Sequence, residues 1–107
     1  HEMARYIMQE ICEDFREMWP NREYNYCCCA GGGVINCGPP WKTKRVDSNK
    51  VKAEQLQRTG AKILVTPCHN CHSGMEDIIN YYKLDMHTKF ISELLIECME
   101  IPEGLKA

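Results

Sequence analysis

Two short cysteine-rich stretches constrain this chain more than any other feature. The first reads Cys27-Cys28-Cys29-Ala30-Gly31-Gly32-Gly33, and the second reads Cys68-His69-Asn70-Cys71-His72. Together they hold five of the eight cysteines. Clustered thiolates on turns are the ligands that iron–sulfur clusters and structural zinc sites require. The three glycines let the backbone come close to a bulky group and turn N–H donors toward its negative charge. The pattern therefore predicts a metal centre.

Length and charge limit the class of protein. A chain of 107 residues fits one domain with a modest core. Its net charge of −2 gives no electrostatic basis for binding nucleic acid. No signal peptide or membrane-spanning run is visible, and clustered cysteines fit a reducing compartment better than a secreted disulfide scaffold. We therefore expect a cytoplasmic protein without direct membrane insertion.

Hydrophobic periodicity predicts an α/β fold. Helices are predicted at four places: residues 2–19, from Asp47 or Ser48 to Thr59 with Gly60 at the end, after Pro67, and after Phe90. Short strands are predicted at three places: residues 24–29, 61–66 and 86–90. The expected architecture is a small three-layer domain in which a short parallel sheet of about three strands is flanked by helices.

The order of these elements predicts that the two cysteine stretches meet. A strand, a helix and a second buried strand form a right-handed βαβ unit, and the carboxyl ends of its parallel strands share one edge of the sheet. Cys27 to Cys29 follow the first strand, and Cys68 and Cys71 follow the second. Cys71 is also expected near a helix N-terminus, which lowers the pKa of a thiol. Cys12 and Cys98 lie on apolar stripes and are predicted to be core residues.

The segment between the two stretches carries two features. Pro39-Pro40 argues against helix or central strand, so residues 34–45 are predicted to form an irregular loop. Lys42, Lys44 and Arg45 form a short basic run. Such a run is typical of a solvated face, and the alternative is that it offsets the charge of a cluster or meets an acidic partner.

Other centres compete with an iron–sulfur cluster. The second stretch satisfies the C-x-x-C-H pattern of covalent haem attachment, in which His72 is an axial ligand. A zinc site could take two cysteines from each stretch and stabilise an interaction module. Cys68 and Cys71 could also form a thioredoxin-like redox pair. Haem and the redox pair leave the first stretch unexplained, and adjacent cysteines bind one ion awkwardly because neighbouring side chains diverge. The residues favour a cluster and leave zinc and haem open.

Two segments, Tyr26–Gly33 and Ala61–Cys71, resemble the second half of the cysteine-rich CCG domain. That domain occurs in heterodisulfide reductase catalytic subunits. Within the family the chain looks most like the cytoplasmic iron–sulfur subunits of high-molecular-weight cytochrome-type transmembrane redox complexes of sulfate-reducing bacteria. The resemblance covers about residues 5–100. It implies electron transfer in an anaerobic respiratory complex, and in the whole protein an oxidoreductase that reduces a disulfide. It also implies a place in the cytoplasm, peripheral to the inner membrane through partner subunits.

The resemblance also implies a ligand set. Cys27 and Cys28 match the family's double cysteine, and Cys68 and Cys71 match its C-x-x-C, as ligands of a [4Fe–4S] cluster of non-cubane type. Gly31 and Gly32 would lie beside that cluster. No side chain is singled out as catalytic.

Two departures from the family pattern bear on these assignments. Cys29 stands where the family usually has glycine, so Cys28-Cys29 is the alternative ligand pair. A further family cysteine belongs well ahead of the double cysteine, at a position before this chain begins, and Cys12 is too close to replace it. Residues 1–107 are therefore expected to form a single domain that is the C-terminal piece of a longer protein. The isolated fragment is expected to be inactive. Because one family ligand precedes it, the fragment can also lack the cluster.

Overall fold

The computed structural model describes residues 1–106, and residue 107 lies outside the described part. The helices in that range are α1 (Glu2–Ile11), α2 (Trp41–Asp47), α3 (Lys50–Thr59), α4 (His69–Tyr82) and α5 (Ile91–Cys98). The strands are β1 (Ile63–Thr66) and β2 (His87–Phe90). Short 3₁₀ turns occur at Arg22–Tyr24, Val34–Asn36 and Glu103–Leu105. The predicted α/β class is confirmed.

The two strands form one parallel pair, and α4 is the crossover between them. Ile63 pairs with His87, and Thr66 pairs with Phe90. Parallel neighbours cannot be joined by a tight hairpin, so the chain returns through α4, which packs against both strands. The strands predicted over 61–66 and 86–90 are thus confirmed, each in a shorter form.

The strand predicted over residues 24–29 is wrong, so the sheet has two strands in the described residues rather than about three. The chain makes a 3₁₀ turn and then runs irregularly to Ala30. The Asn49 amide, not a neighbouring strand, donates to the Cys27 carbonyl oxygen at 3.1 Å. Burial of Cys28 and Ala30 against helices overrides the β-propensity of this segment. The βαβ unit is therefore β1–α4–β2.

The helix predicted over residues 2–19 ends at Ile11. Cys12 is already extended, with φ −115° and ψ 129°. The last turn of α1 contains no basic residue, and acidic residues follow it. The negative end of a helix dipole favours cations, so this sequence ends the helix early. Beyond it, Arg16 donates to the Thr59 carbonyl oxygen at 2.7 Å and ties the irregular segment to the end of α3.

The irregular loop predicted over residues 34–45 contains the start of α2. The two prolines precede this helix and do not interrupt it, since Pro40 lies just before Trp41. A proline at a helix start loses no hydrogen bond, because the first N–H groups have no partner within the helix. α3 ends as predicted at Gly60, which is left-handed with φ 66°.

The core lies where α2, α3 and α4 meet residues 27–33, which we call the cysteine loop. The buried residues of this core are Cys28, Ala30, Val46, Ala53, Leu56, Met75, Ile78, Ile79 and Leu84. The placement of Cys98 in the core is wrong, because it is exposed at the end of α5, and Cys12 is half-buried. Among the described helices, none combines the length and the apolar character needed to cross a membrane.

Gly74 sets the distance between α4 and the cysteine loop. A Cβ atom at this position would lie 2.5 Å from the Cβ of Ala30 and 3.2 Å from the carbonyl oxygen of Cys28. Glycine inside a helix costs about 1 kcal/mol relative to alanine. Here the missing side chain is what allows the loop to reach the helix.

We expect Gly74→Ala to lower the free energy of unfolding, because the loop must move away from α4. Overpacking costs about 1–3 kcal/mol and the better helix propensity offsets about 1 kcal/mol, so urea unfolding should show a net loss of up to about 2 kcal/mol. Gly31→Ala is the matched control, since its new Cβ would meet no atom within 4 Å. Equal stability of the two variants would contradict this role for Gly74.

Candidate metal centre

The two cysteine stretches meet through Cys28 and Cys71. Their sulfur atoms are 3.1 Å apart, although the residues are 43 positions apart in the chain. Cys28 is buried with 8% exposure and Cys71 is half-buried, and both are free thiols. The expected meeting of the two stretches is therefore present. The second stretch follows the end of β1 as predicted, but the first reaches it through the irregular cysteine loop and not from a strand end.

The start of α4 positions Cys68 and Cys71 next to each other. Cys68 caps the helix, and its sulfur accepts a hydrogen bond from the Cys71 backbone N–H at 3.5 Å. That bond lowers the pKa of the Cys68 thiol. The pKa of Cys71 is raised by burial and by its hydrogen bond to Cys28. The lowered pKa expected at Cys71 is therefore wrong, because the capping sulfur of Cys68 receives the helix N–H.

The first stretch places its three cysteines in different surroundings. Cys27 is exposed, and its sulfur accepts from the Cys29 backbone N–H at 3.2 Å. Cys28 is buried, and Cys29 is half-buried. Burial raises the pKa of the Cys29 thiol. Cys28 belongs to both possible ligand pairs, so its contact with Cys71 does not depend on which pair is used.

Gly31 and Gly32 lie in open space beside these cysteines. No heavy atom outside their chain neighbours would lie within 4 Å of a Cβ atom at either position. Gly32 and Gly33 adopt left-handed backbone with φ 65° and 81°, which glycine does without strain. The glycines thus shape the turn. The close approach of two backbone segments occurs instead at Gly74, where the cysteine loop packs against α4.

The sequence pattern did not single out Gly74 or Lys52, although each left a signal. A glycine inside a helical pattern often has a packing reason. Lys52 lies four residues before the buried Leu56, and this helical spacing places both on the core-facing side of α3.

The basic run was predicted to be a solvated face. Lys42 and Lys44 are exposed, but that prediction is wrong for Arg45, which is buried and paired with Asp77.

His72 has a packing role in this structure. Its ring stacks on the Phe90 ring, with centroids 4.3 Å apart and planes inclined by 8°. The Phe90 ring also lies 6.2 Å from His69. These stacks join the start of α4 to the end of β2.

The sulfur donors fit a soft metal centre, but they are not closed around a single ion. Within residues 1–106, no group of three Cys, His, Asp or Glu side chains is arranged to hold one metal ion. Two sulfurs converge at Cys28 and Cys71, Cys68 lies beside Cys71, and Cys27 adjoins Cys28. Thiolates in this number suit iron–sulfur clusters and zinc.

A cavity of about 640 Å³ lies next to the paired sulfurs. Cys28 and Cys71 form part of its wall, and several methionines line it: Met8, Met18, Met75 and Met86. Polarisable, flexible methionine side chains are suited to an adaptable apolar wall. The sulfurs can thus be reached from the side of α1 and β1.

Comparison with known proteins agrees with the resemblance in the sequence. The CCG family, described as a cysteine-rich domain, matches residues 2–76. A subunit of the dihydromethanophenazine:CoB--CoM heterodisulfide reductase of Methanosarcina barkeri is 32% identical over 96 residues, and its counterpart in Methanosarcina mazei is 33% identical over 96 residues. The aligned part covers 89% of this chain and 23% of each relative. No solved structure matches the chain significantly.

The matched region contains the whole cysteine loop, both cysteines of the second stretch, and Gly74. It therefore includes both residues of the sulfur–sulfur contact and the glycine that lets the cysteine loop approach α4. The chain belongs to the family of CCG cysteine-rich domains.

Proposed function

We propose that this chain is an electron-transfer domain that holds an iron–sulfur cluster. The observation that carries the proposal is the 3.1 Å contact between the sulfurs of Cys28 and Cys71. It joins two stretches that are rich in soft donors and far apart in the chain. Membership of the CCG family supports it, as do relatives named as heterodisulfide reductase subunits.

The proposed ligands are Cys27, Cys28, Cys68 and Cys71. Adjacent cysteines suit a cluster of several irons because diverging side chains can bind different atoms of it. The proposed cluster is a [4Fe–4S] centre of non-cubane type. When bound, such a cluster accepts and donates electrons. The open space around Gly31 and Gly32 leaves room for a bulky group beside Cys28.

The backbone at Cys29 supports Cys27-Cys28 as the ligand pair. Cys29 has φ 57°, in the left-handed region that favours glycine. In the family pattern, glycine follows the double cysteine, so a left-handed Cys29 is what the register with Cys27-Cys28 as ligands leads us to expect. A non-glycine residue in this region costs about 1–2 kcal/mol.

The whole protein is proposed to act as part of a larger redox complex in the cytoplasm, peripheral to the inner membrane through its partners. The relatives are named as subunits of a heterodisulfide reductase, and this chain spans about a quarter of their length. Disulfide reduction is accordingly proposed for the whole protein, with this chain supplying part of the metal centre.

Cys71→Ser should remove most of the iron and sulfide bound by the anaerobically reconstituted chain. Mutation of a residue that only hydrogen-bonds to a metal ligand lowers metal affinity by about 10–100-fold. Loss of a ligand itself should therefore lower the affinity at least as much. Iron and sulfide analysis measures this loss. Cys98→Ser is the control, because Cys98 is exposed on α5. Equal iron contents in the two variants would reject Cys71 as a ligand.

A second pair of variants distinguishes the two possible ligand pairs. Cys27→Ser should lose the cluster, whereas Cys29→Gly should retain its iron and sulfide, because it removes only a strained residue that is not a ligand. The same iron analysis and the visible spectrum provide the readout. Retention in Cys27→Ser together with loss in Cys29→Gly would show that Cys28-Cys29 is the pair.

A further inference from the structure

A lysine is fully buried beside the cysteine loop. Lys52 on α3 has no exposed surface. Its ammonium group donates to the Asn25 side-chain oxygen at 3.1 Å. None of the ion pairs formed within residues 1–106 joins it to a carboxylate. Buried lysines are nearly always paired, because removing an ammonium from water costs several kcal/mol.

The ionisable groups that oppose the effect of burial on Lys52 are cysteines. Burial lowers the pKa of Lys52, and negative charge on the sulfurs of the centre acts in the opposite direction: Cys28, Cys27, Cys71 and Cys29. Two hydrogen bonds fix the geometry. Asn25, the acceptor for Lys52, lies two residues before Cys27. Asn49, just ahead of α3, donates to the carbonyl oxygen of Cys27 at 3.1 Å. The first turn of α3 therefore braces the chain that carries the cysteines.

A second cation, on α2, is also buried. Arg45 is 7% exposed and pairs with Asp77 through one terminal nitrogen. Its other two guanidinium nitrogens are buried without a hydrogen-bond partner in the described structure. Asp77 is also shared with Lys42 at 3.2 Å. Lys52 and Arg45 are thus two buried cations, and Asp77 is the one carboxylate paired with either of them within residues 1–106.

We infer that Lys52 is the buried counter-charge of the cysteine centre. According to this inference, the bound centre carries net negative charge, and the reduction potential of a bound cluster depends on Lys52. The redox part rests on the proposed function, whereas the charge pairing applies to any anionic metal–thiolate centre. Reduction adds one electron, so a fixed positive charge nearby stabilises the reduced form more than the oxidised form. Lys52 acts through the ligands and is a positioning residue.

The test compares Lys52→Met with Lys50→Met. Each variant removes one positive charge from α3, but Lys50 is exposed. In the metal-free chain under anaerobic conditions, Cd²⁺ binding is followed by its sulfur-to-metal absorption. The Kd for Cd²⁺ should rise about tenfold in Lys52→Met and remain unchanged in Lys50→Met. Equal Kd values for Cd²⁺ in the two variants would overturn the inference.

The reconstituted cluster provides the redox readout. Its midpoint potential should shift to a lower value in Lys52→Met and not in Lys50→Met. A tenfold change in the one-electron equilibrium corresponds to about 59 mV. An unchanged midpoint would overturn the redox part. If the wild-type chain holds zinc in place of a cluster but Lys52→Met still weakens Cd²⁺ binding, the proposed function fails and the charge pairing holds.

A third measurement separates charge from structure. Lys52→Gln removes the charge but keeps an N–H donor for Asn25, so it should weaken Cd²⁺ binding as Lys52→Met does. Thermal unfolding of the metal-free chain should show no loss of Tm in Lys52→Met, because an uncompensated buried charge has been removed. A lowered Tm in Lys52→Met, with Cd²⁺ affinity retained in Lys52→Gln, would show that the role is structural only.

Discussion

The approach of the cysteine loop to α4 is the contact on which the rest of the site depends. Gly74 allows it, because any side chain at that position would meet Ala30. The same approach buries Cys28 and brings its sulfur to that of Cys71. The core and the candidate metal centre therefore share residues, and changes in one must affect the other.

Charge links the site to the stability of the domain. A chain of this size buries a modest core, and this one places Lys52 and Arg45 inside it. Buried cations with few partners destabilise a fold unless an anionic group lies against them. In the proposed centre, thiolates bound to a metal would supply such a group, and metal binding would then contribute directly to folding. Cys28 would thus serve both the centre and the core, whereas Lys52 would cost stability until a metal is bound.

The meeting of the two cysteine stretches was predictable from the sequence, but the route to it was not. Apolar patterns located β1 and α4, and Gly60 located the end of α3. β2 was predicted over residues 86–90 although its sequence His87-Thr88-Lys89-Phe90 carries little apolar pattern. Residues 24–29 have strand-forming side chains, yet packing of Cys28 and Ala30 overrides that propensity. Gly74 and Lys52 depend on contacts between distant segments, which periodicity does not encode. The lowered pKa lies at Cys68, since cap geometry decides which sulfur receives the helix N–H.

The most direct test of an iron–sulfur centre is the visible spectrum of the anaerobically reconstituted wild-type chain, taken with iron, sulfide and zinc analysis of the same sample. Broad absorption that bleaches with reductant, with iron and sulfide in similar amounts, is the predicted result. A colourless sample that holds zinc would contradict it and would indicate a zinc-stabilised module. A sharp haem spectrum would contradict it as well.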